Sequence, residues 1–241
     1  MEQQINAKLN ELKALAPENR EYKTWLAESN LWGWLYTDYK IQGQKVSRAA
    51  VVDMFNGIIR EDIPLANYDF AQRCKALYSD MQEDLSMRSA PNQKMLKRWM
   101  NILFGDIRFR KCNPVIFEFG LIPCHYQFIE EELDNVIKEY VQCGGDQIEA
   151  VAMLFLKILR IYPYEEESVG AAMVMALYCL EGLGLPIPEI PLNEEEFCEL
   201  ITAYMDKGQS QPFCDMFKRC VFNRLDAVLM LAKQAKENED N

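Results

Sequence analysis

Apolar residues recur at helical spacing through most of the chain. Ile5, Leu9, Leu12 and Leu15 predict an amphipathic helix ending near Pro17. A second helix is predicted from Arg20 to about Tyr39, carrying Trp25, Leu26, Trp32, Trp34 and Leu35. Tryptophans this close together mark a packed face. Ser47 is placed to cap a helix from Arg48 to Phe55, which Gly57 ends. Asn67 to about Leu85 follows, with Phe70, Cys74, Leu77 and Met81 on one stripe, and then Pro91 to Phe104. The pattern changes from Ile107 to Phe119. That stretch alternates, holds Val115, Ile116, Phe117 and Phe119, and has Asn113-Pro114 in its middle, which predicts one short β-hairpin. Helices resume at His125 to Gln142, Asp146 to Ile161 and Val169 to Leu183. A loop stiffened by Pro186, Pro188 and Pro191 leads into helices at Asn193 to Met205 and Pro212 to about Lys233. Lys233 to Asn241 is expected to be solvated and frayed. The fold class is mainly α, a helical bundle with one short hairpin.

Composition removes several classes of function. Ile148 to Ile161 and Val169 to Leu180 are strongly apolar, but both are shorter than the roughly 20 residues that cross a bilayer. They predict buried core helices and no membrane association. The net charge of -11 opposes nucleic acid and anionic lipid. The short basic runs at Lys94, Lys97 and Arg98, and at Arg108, Arg110 and Lys111, are expected to be solvated faces. Eight cysteines form no Cys-x-x-Cys pair and match no common zinc spacing. Met1 to Arg20 has no apolar signal-peptide core. Reduced thiols and a cytoplasmic location are the expectation. The sole histidine, His125, follows Cys124 directly, and neighbours in sequence do not face each other on a helix.

The segment around Pro163 carries the chemistry. One apolar helix enters a tight turn and a second leaves it at once, so the second presents its N-terminal N–H groups and positive dipole end at the edge of a core. The order of elements resembles the Fic-domain family, whose members typically move AMP from ATP onto protein hydroxyls. That family carries His-Pro-Phe-x-Asp/Glu-Gly-Asn-Gly-Arg-x-x-Arg between two buried helices. Here the same place holds Tyr162, Pro163, Tyr164, Glu165, Glu166, Glu167, Ser168, Val169, Gly170, Ala171, Ala172 and Met173. The flanks agree better: AVAMLFLKILRI before the turn, ALYCLEGLGLPIPEIPL after it, and NEEEFCELITAYMDKGQSQPFCDMF beyond. GDIRFRKCNPVIFEFG resembles the family's substrate-clamping hairpin, which implies peptide-clamping roles for Arg110, Val115, Phe117 and Phe119. Asp38 to Gly43 falls where many members carry an inhibitory Ser-x-x-x-Glu-Gly helix, so that Asp38, Gln42 and Gly43 occupy its places. The resemblance implies N-terminal helices over 1–34, a Fic-like domain over 35–225, and a helix end and tail over 226–241. Within the domain it puts the inhibitory region at 36–60, the hairpin at 107–119 and the core motif at 146–184.

The departures from the motif have physical consequences. The family's histidine, with a pKa of about 6.5, suits a base at neutral pH. Tyr162 brings a phenol of pKa about 10 instead. Glu167, Ser168 and Val169 replace the Gly-Asn-Gly that lets backbone approach phosphate. At an effective dielectric of about 20, two like charges about 5 Å apart repel by roughly 3 kcal/mol, so Glu167 opposes phosphate. Both motif arginines are missing, replaced by Gly170 and Met173. Glu166 matches the family's metal-binding acid and is the weak candidate for a magnesium ligand. The inhibitory glutamate and the arginine it would pair with become Gln42 and Met173.

The resulting expectation is a Fic-like protein inactive as a nucleotidyl transferase, acting as a binding module for a protein partner, with no cofactor and a possible homo-oligomer. One alternative is a transferase of altered chemistry using ATP and magnesium or another phosphorylated donor. The other is a structural subunit whose old cleft is filled by Tyr162, Tyr164 and Met173.

Overall fold

The computed structural model describes residues 1–15 and 20–239. Among them are ten α-helices: α1 (Glu2–Leu15), α2 (Arg20–Ile41), α3 (Arg48–Phe55), α4 (Leu65–Ser86), α5 (Gln93–Phe104), α6 (Ile129–Val141), α7 (Gln147–Ile161), α8 (Ser168–Gly182), α9 (Glu194–Lys207) and α10 (Gln211–Glu239). The expected helix end at Pro17 and the last two residues of the expected tail lie outside the described residues.

The caps follow from the sequence. Ser47 accepts from the Ala50 N–H, Asn92 from Met95, and Asp146 from Ile148 and Glu149. Asn193 and Glu196 form a reciprocal capping box at the start of α9. The stretch after His125 begins with a single 3₁₀ turn, Tyr126–Phe128, before α6. Helix α10 runs past Lys233 to Glu239. The apolar stripe of α10 continues through Ala232, and Lys233 pairs with Glu11 of α1 at 2.6 Å. Positions 34 and 225, expected as domain limits, fall inside α2 and α10.

Helices α7 and α8 form the centre. No charged residue interrupts the chain from Ser168 to Leu180, and Ser168 and every residue from Gly170 to Leu180 are buried. Helices α6, α9 and α10 pack on α7, while α4 and α5 pack on α8. Phe155 of α7 stacks on Phe213 of α10 and meets Phe197 of α9 edge-on. Lys157, which breaks the apolar run of α7, reaches Glu139 of α6 on the outer side. No helix among the described residues is long and apolar enough to cross a membrane.

The expected hairpin is smaller than its alternation suggests. Among the described residues it is one antiparallel bridge, Ile116 to Leu121, closed around a 3₁₀ turn at Phe117–Phe119 with Gly120 left-handed. The cause lies in where the backbone bonds go. The Arg110 N–H donates to Pro163 O at 3.0 Å, so this segment pairs with the α7–α8 turn and not with a second strand. The Arg110 side chain is 2% exposed. Its guanidinium donates to the carbonyls of Tyr162 (2.7 Å), Ile161 (3.1 Å), Cys112 (2.7 Å) and Cys124 (2.5 Å). It thus satisfies the open carbonyl end of α7 with a cation, which the helix dipole favours.

Replacing Arg110 by Met should destabilise the protein by about 3 kcal/mol or more, because several buried carbonyls lose their donors. Arg110→Lys should recover only part, since an ammonium cannot span that fan of acceptors. Urea denaturation measures both. A Met variant as stable as the parent would show that the guanidinium does not hold the turn.

Candidate functional site

The site forms where α7 stops. Tyr162 takes a left-handed conformation (φ 50°, ψ 64°), uncommon for a residue with a side chain, and its N–H bonds back to Ile158 and Leu159. Pro163 and Tyr164 then carry the chain to α8. The Ser168 hydroxyl accepts from the Tyr164 N–H at 2.9 Å and donates to Tyr164 O at 2.8 Å, closing the turn. Ser168, at the motif's asparagine place, is therefore wholly engaged by backbone. Val169 is half-buried against the core.

The motif side chains separate into two groups. Tyr162, Tyr164 and Met173 are buried, Tyr164 beside the Phe109 ring at 5.2 Å with its hydroxyl lacking a partner among the described residues. Burial pushes the Tyr162 phenol above its usual value, and the carboxylates of Glu118, Glu167 and Glu166 push it further. A phenol held protonated in this way does not act as a general base at neutral pH. Glu165 and Glu166 are exposed, and Glu165 accepts from the Cys112 thiol at 3.6 Å. The described residues contain no group of three His, Cys, Asp or Glu that could hold a metal ion.

A cleft of about 170 Å³ opens at the N-terminus of α8, lined among others by Asp38, Tyr39, Gln42, Phe70, Phe104 and Glu167. No lysine or arginine lines it. Glu167 sits at the N-cap of α8 but makes no side-chain cap bond. Its Oε2 instead lies 3.7 Å from where a Cβ on Gly170 would stand, with Phe104 at 3.6 Å from the same point. Burial raises the Glu167 pKa, and Glu166 adds to the shift. Asp38 is 5% exposed and accepts from the Gln42 side chain at 2.9 Å. Burial lifts its pKa to about 7; the Gln42 bond lowers it and the Glu167 charge raises it further.

The structure thus joins the inhibitory segment to the motif, through Asp38 and Glu167. Gln42 and Met173, which the resemblance would pair, do not meet at this cleft. Gln42 bonds Asp38, whereas Met173 lines a small apolar cavity with Trp34, Thr37 and Ile187. Gly43 is left-handed (φ 71°), and a Cβ there would stand 2.3 Å from Glu194 Oε2, so the end of α2 lies tight against α9. Of the expected clamp residues, Arg110 is buried as described and Phe119 packs against Phe197, whereas Val115 and Phe117 are exposed. His125 caps the 3₁₀ turn and stacks on Tyr126, while the Cys124 thiol turns toward Ile161 O, so the two form no dyad.

Two features carry no sequence signal. One is the approach of Asp38 to Glu167, 129 positions apart in a chain of 241. The other is Glu181, half-buried at the end of α8 and accepting from Asn30, Tyr78 and Gln82.

A raised acid makes stability fall as pH rises. Below about pH 4 Asp38 is protonated in both the folded and the unfolded chain and carries no penalty. The penalty grows until pH passes the folded value of about 7 and is constant above it. Asp38→Asn should therefore match the parent near pH 4 and exceed it by about 4 kcal/mol near pH 8. Denaturant melts across that range test this. A gap that does not widen with pH would mean Asp38 is not the group concerned.

No protein-family model matches the chain, and no curated protein matches it. Solved structures do. A Fic-domain-containing signaling protein from Bacteroides thetaiotaomicron superposes with a TM-score of 0.78 at 14% identity, covering 96% of this chain and 98% of that one. A Fic family protein from Desulfovibrio desulfuricans gives 0.72 at 11% identity, over 94% of this chain and 73% of the other. Fic-1 from C. elegans gives 0.69 at 13% identity, over 98% and 72%. At these identities it is the backbone that agrees: the chain has the Fic fold.

Proposed function

We propose that this Fic-fold chain does not transfer nucleotidyl groups and acts by binding a protein partner. The observation that carries the reading is the charge of the cleft at the α8 N-terminus, where Asp38 and Glu167 stand and no cationic side chain lines the wall. Phosphoryl chemistry needs positive charge and backbone N–H groups aimed at the phosphate oxygens. These residues do not fit ATP and magnesium. Glu166 is exposed at the family's metal-binding position, and Tyr162 stands where a base would be required.

The partner surface is the stretch from Val115 to Phe128. Phe117 is 87% exposed and Ile122 78%, and Val115 and Phe128 are also open. Apolar side chains clustered on one exposed segment mark an interaction site. With a single bridge in place of a hairpin, contact through side chains is favoured over addition of a strand. The burial of Tyr162, Tyr164 and Met173 favours a second reading, a purely structural subunit.

Calorimetric titration with ATP and Mg²⁺, repeated with GTP and without metal, should give no binding at millimolar nucleotide. Clear binding would refute the silent reading. Phe117→Ala should weaken partner binding about tenfold with the melting temperature unchanged, because Phe117 contributes nothing to the core. Phe119 is unsuitable for this test, since its burial against Phe197 would mix stability with binding. Unaltered partner binding in Phe117→Ala would favour the structural reading.

A further inference from the structure

The cleft that repels phosphate has the chemistry to receive a cation. Asp38 accepts one bond, from Gln42, and a carboxylate has further acceptor sites. Glu167 spends no bond on capping α8. Tyr39 lines the same cleft, is 3% exposed, and its hydroxyl has no hydrogen-bond partner among the described residues. Burial, then Cys74, then Asp38 push its pKa up, so it stands near both groups. A buried hydroxyl left without a partner is costly, which points to a group that completes it.

Two aromatic rings share the remaining wall with the amides of Gln42, Gln44 and Asn67. Phe70 and Phe104 stand with their centroids 5.6 Å apart and tilted by 37°. Ring faces attract cations and pack against methylenes. The cleft of about 170 Å³ is well below the volume of sites that enclose drug-sized ligands, roughly 300 Å³ and more. The α8 dipole opposes a cation with about half a unit of positive charge, against two ionised carboxylates. The described residues offer no group of three His, Cys, Asp or Glu here to hold a divalent metal, whereas two carboxylates beside aromatic rings suit an alkylammonium.

We infer that this cleft is a receptor for a small aliphatic primary ammonium, held between Asp38 and Glu167 with its chain against Phe70 and Phe104. The Tyr39 hydroxyl oxygen accepts from the same ammonium. The ligand is either a free amine or the end of a lysine side chain. The inference rests on the reading that this cleft has left nucleotide chemistry.

The test uses the full chain near pH 8, with both carboxyls ionised once an amine is bound. Binding is followed by calorimetry and by thermal shift, with n-butylamine hydrochloride and Nα-acetyl-lysine amide as probes. n-Butanol and sodium chloride at matched concentrations serve as controls. The amine should bind and raise the melting temperature, and n-butanol should not. Asp38→Asn and Glu167→Gln should each weaken amine binding about tenfold, the loss of one charge contact. Asp38→Asn should do so while making the free protein more stable, so weakened binding there is not unfolding. Binding of n-butylamine supports a free amine, and binding of the lysine amide alone supports a lysine side chain. No binding at about 50 mM of either probe would overturn the inference. Equal binding in both variants would also overturn it, because it would reflect only the acidic surface. ATP with Mg²⁺ titrated into the same samples separates the two readings. Neither ligand binding sinks only the amine site, ATP binding without amine sinks both readings, and amine with ATP sinks only the silent one.

Discussion

A guanidinium with no carboxylate partner among the described residues holds the centre of this fold. Arg110 comes from an irregular segment and sits on the carbonyl end of α7, donating to Ile161, Tyr162, Cys112 and Cys124. Burying an unpaired charge is ordinarily prohibitive, and it is tolerated here because the carbonyl dipoles of a helix terminus act as the counter-charge. The consequences run outward in both directions. Toward the core, Tyr162 is kept left-handed, which turns the chain sharply enough for α8 to start six residues later and run back along α7. Toward solvent, the 107–124 segment is pinned near its start, at Arg110, leaving Val115 and Phe117 exposed beyond the pin.

The same turn decides the electrostatics of the site. Because Ser168 is committed to Tyr164, the first turn of α8 is closed by its own backbone and by a buried hydroxyl, not by an anion. Glu167 then folds along the helix toward Phe104 and lines the same cleft as Asp38 of α2. A helix N-terminus facing carboxylates is electrostatically content.

Much of the fold was legible because its signals are local. Apolar periodicity located the described helices, although α10 runs well past its expected end, and Ser47, Asp146 and Asn193 cap the helices they precede. The uncharged run in α8 announced its burial. The hairpin was overestimated for a corresponding reason. Alternation from Ile107 to Phe119 records which side chains face inward, and a segment that docks onto a turn alternates as a strand does. Only the destination of the Arg110 backbone and side chain separates the two, and that destination lies 50 residues away.

The site was legible in type but not in its connections. Replacing a histidine by Tyr162 and two glycines by Glu167 and Val169 is visible residue by residue, and it predicts lost phosphate affinity without any structure. What the sequence does not contain is the distance between Asp38 and Glu167, because a single residue carries no mark of its burial. Gln42 and Met173, the two matched departures from the family pattern, line different cavities. Gln42 donates to Asp38, four residues before it on the same helix, and so partners a buried acid that the sequence offered only as a poor match. The pairing that matters is between Asp38 and Glu167, which face one small cleft with a phenol that lacks a partner. Acceptors have thus collected in this cleft. Uncompensated acceptors in a half-buried cleft are costly unless a donor with positive charge supplies what the chain does not.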